Sequence, residues 1–345
     1  MKSWPSETAT AIGSMPGTDP VEATRVVLGE LPNLPYLPEL PARMVGADMI
    51  GRAAAVLIDL PVELVPSGYR VTAHPGHDLR RARDLLARDM DAMQEVLDAT
   101  GRRPPLLKIQ LTGPWTLMAG IELARGHRVL TDPGALREFT ASLAEGLAQH
   151  VAEVAVRTGA DVLVQLDEPT LPTVLAGGLP SPSGLTMVPP VEEPEARDVL
   201  REVIEAAREA SGQPVVVHCC ADRPPLGLFR AAGADAVSFD ATRLDGASNA
   251  YWDELGDTWD SGVALFLGLV PSVDPADPVT LHELAKPALA LVDRLGFNRS
   301  RLAELAVPTP TCGMAGASMT WATRAMTLSA ELARAFVEPP DSWSA

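Results

Sequence analysis

Short apolar runs recur along the chain, each ending in polar residues or glycine, and stretches with apolar residues at helical spacing lie between most of them. Thr8-Ala9-Thr10-Ala11-Ile12-Gly13-Ser14 reads as a strand that breaks at its glycine, followed by a helix from Pro20 to about Leu31. Tyr36-Leu37-Pro38-Glu39-Leu40 is a weaker strand, since proline donates nothing to a ladder. Residues 41–77 are broken by proline and glycine and read as an excursion with a hairpin of its own. Leu79, Leu86, Met90, Met93 and Leu97 then return to helical spacing.

The third strand, Leu106 to Leu111, ends at Thr112-Gly113-Pro114. Asp132 as N-cap and Pro133 in the first turn open a helix with Leu136, Phe139, Leu143, Leu147, Val151 and Val154 on one stripe. The fourth strand, Asp161 to Leu166, ends at Asp167-Glu168-Pro169. A loop rich in proline, glycine and serine follows between Thr170 and Pro194, long enough for an active-site lid, and then a charged helix from Glu195 to about Ala210. The fifth strand is Val215-Val216-Val217-His218-Cys219-Cys220, the sixth Ala236 to Asp240, the seventh Val263 to Val270. The eighth, Leu305 to Pro310, ends at Thr311-Cys312-Gly313, and a helix from about Ser318 to Phe336 closes the chain.

Eight strands separated mostly by helices predict an α/β fold, a (β/α)8 TIM barrel, as a single domain over residues 1–345. The competing architecture is an open doubly wound sheet. Against it, no Gly-x-Gly-x-x-Gly follows a strand, and polar residues end nearly every strand, as at the catalytic mouth of a barrel.

Composition narrows the function. No apolar segment reaches the roughly 18 residues of a membrane helix, and Met-Lys-Ser-Trp-Pro-Ser-Glu-Thr lacks the apolar core of a signal peptide, so a cytoplasmic protein is expected. A formal net charge of −17 argues against nucleic acid or an anionic membrane as partner. Three cysteines, two of them adjacent, favour metal-binding or reactive thiols over a disulfide framework.

Side chains alternate along a strand, so His218 and Cys220 share a face and Cys219 points the other way. In a barrel, strands five, six and eight deliver His218, Cys220, Asp240 and Cys312 to one rim. Two thiolates, an imidazole and a carboxylate form a tetrahedral zinc set, drawn here from three separate segments. Each is also compatible with an ordinary strand end, since lone buried cysteines are common core residues.

On these residues the chain resembles the C-terminal, catalytic half of cobalamin-independent methionine synthase, over nearly its whole length. The resemblance implies Zn2+ held by His218, Cys220, Asp240 and Cys312, although the family's third ligand is glutamate and Asp240 is one methylene shorter. It implies that Ile12-Gly13-Ser14 grips the carboxylate of homocysteine through backbone and hydroxyl donors, while Glu39 and Asp167 receive its ammonium. The implied activity is methyl transfer to the thiol, activated as a zinc-bound thiolate, giving methionine.

The donor side departs from the family. Gly120 stands where a tryptophan is expected to pack on the folate pterin, and Trp115 lies five positions earlier. After the seventh strand, Gly268 to Pro275 contains no histidine to act as general acid, and Asp274 is the nearest titratable group; with Asp167 it is the expected catalytic residue. A methyl group presented by a separate corrinoid protein is therefore weighed beside methylfolate. Two other classes compete: a uroporphyrinogen decarboxylase-like barrel, which needs no metal, and a non-catalytic protein that binds zinc or homocysteine.

Overall fold

The computed structural model describes residues 4–338. Residues 1–3, which begin the N-terminal stretch read above, and residues 339–345 lie outside the described residues. In chain order the strands are β1 (Val62–Val65), β2 (Gly68–Val71), β3 (Leu106–Thr112), β4 (Ile121–Glu122), β5 (Asp161–Asp167), β6 (Val215–His218), β7 (Ala236–Asp240), β8 (Ala264–Val270) and β9 (Ala306–Pro310). Strands β3, β5, β6, β7, β8 and β9 form one parallel sheet in that order, with at least one helix between each neighbouring pair.

The period of two along these strands sorts side chains into two cores. Leu107, Ile109, Leu111, Val162, Val164, Val215, Val217, Val237 and Leu265 pack in the larger core that includes the surrounding helices. Their alternates Leu106, Leu163, Val216, Ala236, Ala264, Phe266 and Val307 meet one another on the inner face of the curled sheet. Trp4 joins this inner cluster, edge-on to Phe266 at 5.3 Å between centroids.

Most inner rows change character along their strand. Leu106 is followed by Lys108, Gln110 and Thr112, Leu163 by Gln165 and Asp167, Val216 by His218, and Ala236 by Ser238. Apolar residues thus close the N-terminal end of the sheet, and the chemistry gathers at the C-terminal end, as expected for TIM-barrel-like folds.

Regular pairing covers six strands rather than the eight expected. The first two expected strands are extended but make only isolated parallel bridges, Ser14 with Glu39 and Tyr36 with Lys108. A further bond runs from Thr10 N to Pro308 O at 3.4 Å. Prolines explain the shortfall: Pro35, Pro38, Pro308 and Pro310 have no N–H where a ladder needs one.

The excursion after the second segment folds as a short helix, Met49–Val56, and the expected hairpin, β1 with β2, to which β4 adds in parallel. It is clamped onto the long helix Pro133–Thr158. There Ser142 Oγ accepts from Ile58 N and donates to Ile58 O, both at 2.8 Å, and a Cβ on Gly146 would lie 1.9 Å from the Val56 carbonyl oxygen. The 170–194 loop contains a helix, Leu171–Leu175, and a turn closed by a bridge between Pro180 and Met187. Among the described residues, no helix is long and apolar enough to cross a membrane.

Gly146→Ala is expected to destabilise the protein by roughly 1–3 kcal/mol, the usual cost of overpacking, because its methyl group must displace the Val56 carbonyl. Urea unfolding measures this; an unchanged midpoint means that helix Met49–Val56 is not held at that contact.

Candidate active site

A cavity of about 240 Å³ opens at the C-terminal end of the sheet. Ile12, Gly13, Ser14 and Glu39 line one side, Asp167, His218, Cys220, Cys312 and Gly313 another, and Pro41, Ala47 and Met49 of the excursion close it. No residue of the 170–194 loop lines it.

The end of β6 supplies the first half of a cluster of one imidazole and two thiols, groups of the kind that can hold a metal ion. Cys219 N donates to Ser238 O at 2.9 Å, which continues the strand direction, so Cys219 packs in the large core while His218 and Cys220 face the cavity. Beyond β9, Thr311 N donates to Val270 O at 2.8 Å and carries Cys312 to the same place. The ligand atoms of His218, Cys220 and Cys312 lie within 4.8 Å of one another. The two sulfurs are 3.0 Å apart, and Ser238 Oγ meets His218 Nδ1 at 3.0 Å, so Nε2 is the ring nitrogen left to face the sulfurs. The hydrogen bond to Cys220, with His218 beside it, brings the Cys312 thiol down to about 4, whereas the same contact pushes Cys220 up.

Two glycines allow these ends to meet. A Cβ on Gly313 would lie 2.1 Å from Ser14 Oγ, and Met314 N donates to Ser14 O at 2.9 Å. Gly13, with φ 156°, passes so close to Gln110 that a Cβ would fall 2.6 Å from its Cγ. Bare backbone at both positions seats the Cys312-Gly313 turn on Ile12-Gly13-Ser14.

The acids occupy the floor. Glu39 is fixed through its backbone, donating to Gly13 O at 3.1 Å and accepting from Met15 N at 2.8 Å. Its carboxylate meets Arg52 Nε at 3.3 Å, and burial raises its pKa against that positive charge. Arg52 also pairs with buried Asp89 at 2.5 Å, which in turn holds Arg43 at 2.7 Å. Asp167 accepts from Gln165 Nε2 at 2.7 Å, and burial pushes its pKa up to about 7, with His218 opposing.

Glu168, adjacent in sequence, turns away from the cavity. Its two oxygens accept from Trp115 N, Thr116 N and Thr116 Oγ, all at 2.8 Å. A Cβ on Gly113 would lie 2.5 Å from Glu168 Oε1. Leu111-Thr112-Gly113-Pro114 and Asp167-Glu168-Pro169 are therefore one interlock that sets where Asp167 stands.

Two expected site residues lie elsewhere. Asp240 does not join the cluster formed by His218, Cys220 and Cys312. Its carboxylate accepts from Thr242 N at 3.0 Å and Thr242 Oγ at 2.5 Å and pairs with Arg243 at 3.5 Å. Local donors have captured a side chain too short to leave its own turn. Asp274 does not line the cavity; exposed, it accepts from Ser318 Oγ at 2.6 Å and Ser318 N at 2.7 Å, which hold it ionised below the usual carboxylate range.

Trp115 is core packing, fully buried with Nε1 donating to Ala196 O at 2.8 Å. At Gly120 a Cβ would already meet Ile50 Cδ1 at 2.7 Å, so the excursion fills the place of a larger side chain. Sequence reasoning missed Lys108, Gln110 and Gln165 beneath the cavity, and Arg52 and Met49 in the excursion. Only Lys108, a charge in the middle of an apolar strand, carried a signal of its own.

Acids, thiols and an imidazole converging at the C-terminal edge of a curled parallel sheet define an α/β enzyme with a TIM-barrel-like site. The chain belongs to the family of the cobalamin-independent synthase catalytic domain, whose model matches residues 6–335. It is thus a methyltransferase of the methionine synthase kind. In fold it is similar to a B12-independent methionine synthase from Shewanella sp. W3-18-1 in complex with selenomethionine, at 12% identity and TM-score 0.58, with 96% of this chain and 98% of that one covered. It is also similar to a methyltransferase from Methanosarcina mazei, at 18% identity and TM-score 0.51, covering 99% and 96%. No curated protein matches the chain in sequence.

Glu168→Gln would place an amide N–H2 against Trp115 N–H or the Thr116 donors. Whichever oxygen the NH2 replaces, it faces a backbone N–H, that of Trp115 at Oε1 or of Thr116 at Oε2, so a destabilisation of about 1–3 kcal/mol is expected. Thermal unfolding tests it, and a variant as stable as the parent would contradict the interlock.

Proposed function

We propose that this chain is a zinc-dependent thiol methyltransferase that converts homocysteine to methionine and takes its methyl group from a corrinoid. The observation that carries this reading is the single cavity shared by the thiol and imidazole cluster, the Ile12-Gly13-Ser14 segment and the two acids. One imidazole and two thiolates are a donor set that suits zinc, and a ligand in the cavity they line is the natural fourth donor. Asp240 stands outside this set. When bound, zinc lowers the pKa of a substrate thiol from the ordinary value of about 8.5, so that the sulfur is a nucleophile at neutral pH.

The chain's residues do the rest. Ser14 Oγ and the backbone of Ile12-Gly13-Ser14 receive the substrate carboxylate. Glu39 and Asp167 receive the ammonium, whose charge offsets the cost of burying two carboxylates side by side. Holding both ends of the amino acid fixes the sulfur for in-line attack, an orientation effect that reaches roughly 7–11 kcal/mol in favourable systems.

The donor side supports a corrinoid over a methylfolate. The position expected to carry a pterin-stacking tryptophan is Gly120, backed by Ile50, and Asp274 is tied to Ser318 in its ionised form. A folate leaves as an amine that must gain a proton. With a methylcorrinoid the cobalt–carbon bond breaks, the S–CH3 bond forms, cobalt(I) departs with the electron pair, and the thiol proton goes to solvent. No general acid is required.

With zinc-loaded protein, methionine is expected from homocysteine and methylcobalamin, and at least a hundredfold less from methyltetrahydrofolate. Rapid methionine formation from the folate contradicts the donor assignment. Failure with both donors contradicts the methyl transfer itself.

A further inference from the structure

Lys108 is completely buried at the centre of β3, directly beneath the cavity. Its ammonium makes three hydrogen bonds, to Ile12 O at 3.0 Å, Gln110 Oε1 at 3.1 Å and Gln165 Oε1 at 2.9 Å. The ring of Tyr36 lies 5.2 Å from Nζ. All three acceptors are neutral; burial pulls the Lys108 pKa down to about 7 while the charges of Asp167 and Glu39 oppose that, and three acceptors around Nζ call for the three hydrogens that only the ammonium has.

An ammonium donates and never accepts. Each glutamine facing it must therefore present its amide oxygen, which turns the amide NH2 outward. Gln165 Nε2 consequently reaches Asp167 Oδ1 at 2.7 Å and Ile12 O at 2.9 Å. Gln110 Nε2 reaches Leu37 O at 2.6 Å and is a donor to the Glu39 carboxylate. Reversed amides would set oxygen against carboxylate at both acids.

We infer that Lys108 is the positioning residue for amino-group recognition, orienting Gln165 and Gln110 so that Asp167 and Glu39 are both held as acceptors for the substrate ammonium. The inference rests on the homocysteine reading above. The same cation anchors the Ile12 carbonyl, so it ties the carboxylate-binding segment to the ammonium-binding acids. Specificity for an α-amino acid thiol over a plain mercaptocarboxylate is built beneath the site, by a residue that touches neither substrate.

The test compares calorimetric Kd values of zinc-loaded protein for homocysteine and for 4-mercaptobutanoate, which keeps the thiol and carboxylate and lacks the amine. The parent is expected to prefer homocysteine by at least tenfold. In Lys108→Met that preference should collapse, with homocysteine weakened, 4-mercaptobutanoate little changed and zinc stoichiometry retained. A merely structural role would weaken both ligands alike, and that result overturns the inference. Gln165→Met keeps the lysine and serves if Lys108→Met fails to fold, since it should lose the same preference; where both single variants fold, the double variant should lose no more. A preference that survives in the variants overturns the role of Lys108 alone. A parent with no preference overturns both this inference and the homocysteine reading.

Discussion

Charges buried at the floor of the cavity have to be partnered, and that requirement shapes the site. Lys108, Asp167 and Glu39 occupy the inner face of the sheet where the solvation lost on folding is replaced only by fixed dipoles and one another. Two glutamines, one backbone carbonyl and the guanidinium of Arg52 meet that need. The network runs from the bridge between Ser14 and Glu39 across β3 to β5, so the Ile12-Gly13-Ser14 segment and the acids Glu39 and Asp167 share one set of hydrogen bonds. Arg43 and Arg52 of the excursion both pair with Asp89 of the helix His77–Thr100, which fixes the excursion where it covers the cavity.

Close approach of backbone is the second constraint. Gly13, Gly113 and Gly313 each stand where a methyl group would overlap a functional side chain: Gln110, Glu168 and Ser14 respectively. Each glycine lies just beyond an extended segment or strand, where loss of a side chain lets two strand ends converge. The thiol cluster, the Ile12-Gly13-Ser14 segment and the acid pair are consequently packed closely around one cavity.

Much of this was legible in the sequence because the period of two is unambiguous in buried strands. It separated Cys219 from His218 and Cys220, and the structure divides them the same way. Polar residues at the ends of nearly all the strands indicated which end carries the chemistry. Regular pairing of the first two segments failed because four prolines interrupt the ladders, although isolated bonds tie these segments to each other, to β3 and to β9. Asp240 illustrates the limit of reading residue types at strand ends: Thr242, two positions on, offers it an N–H and a hydroxyl. That competition is local and could have been weighed from the sequence. The partners of Lys108 and Arg52 could not, since they depend on which face of β3 turns inward and where the excursion lands.

Zinc K-edge X-ray absorption on the purified protein, with and without homocysteine, tests the central claim most directly. A shell with two sulfur ligands and a histidine nitrogen, gaining a third sulfur when homocysteine is added, is the result this account predicts. Zinc bound with a shell that homocysteine leaves unchanged would contradict thiol activation at His218, Cys220 and Cys312, and a protein that takes up no zinc would contradict the metal site altogether.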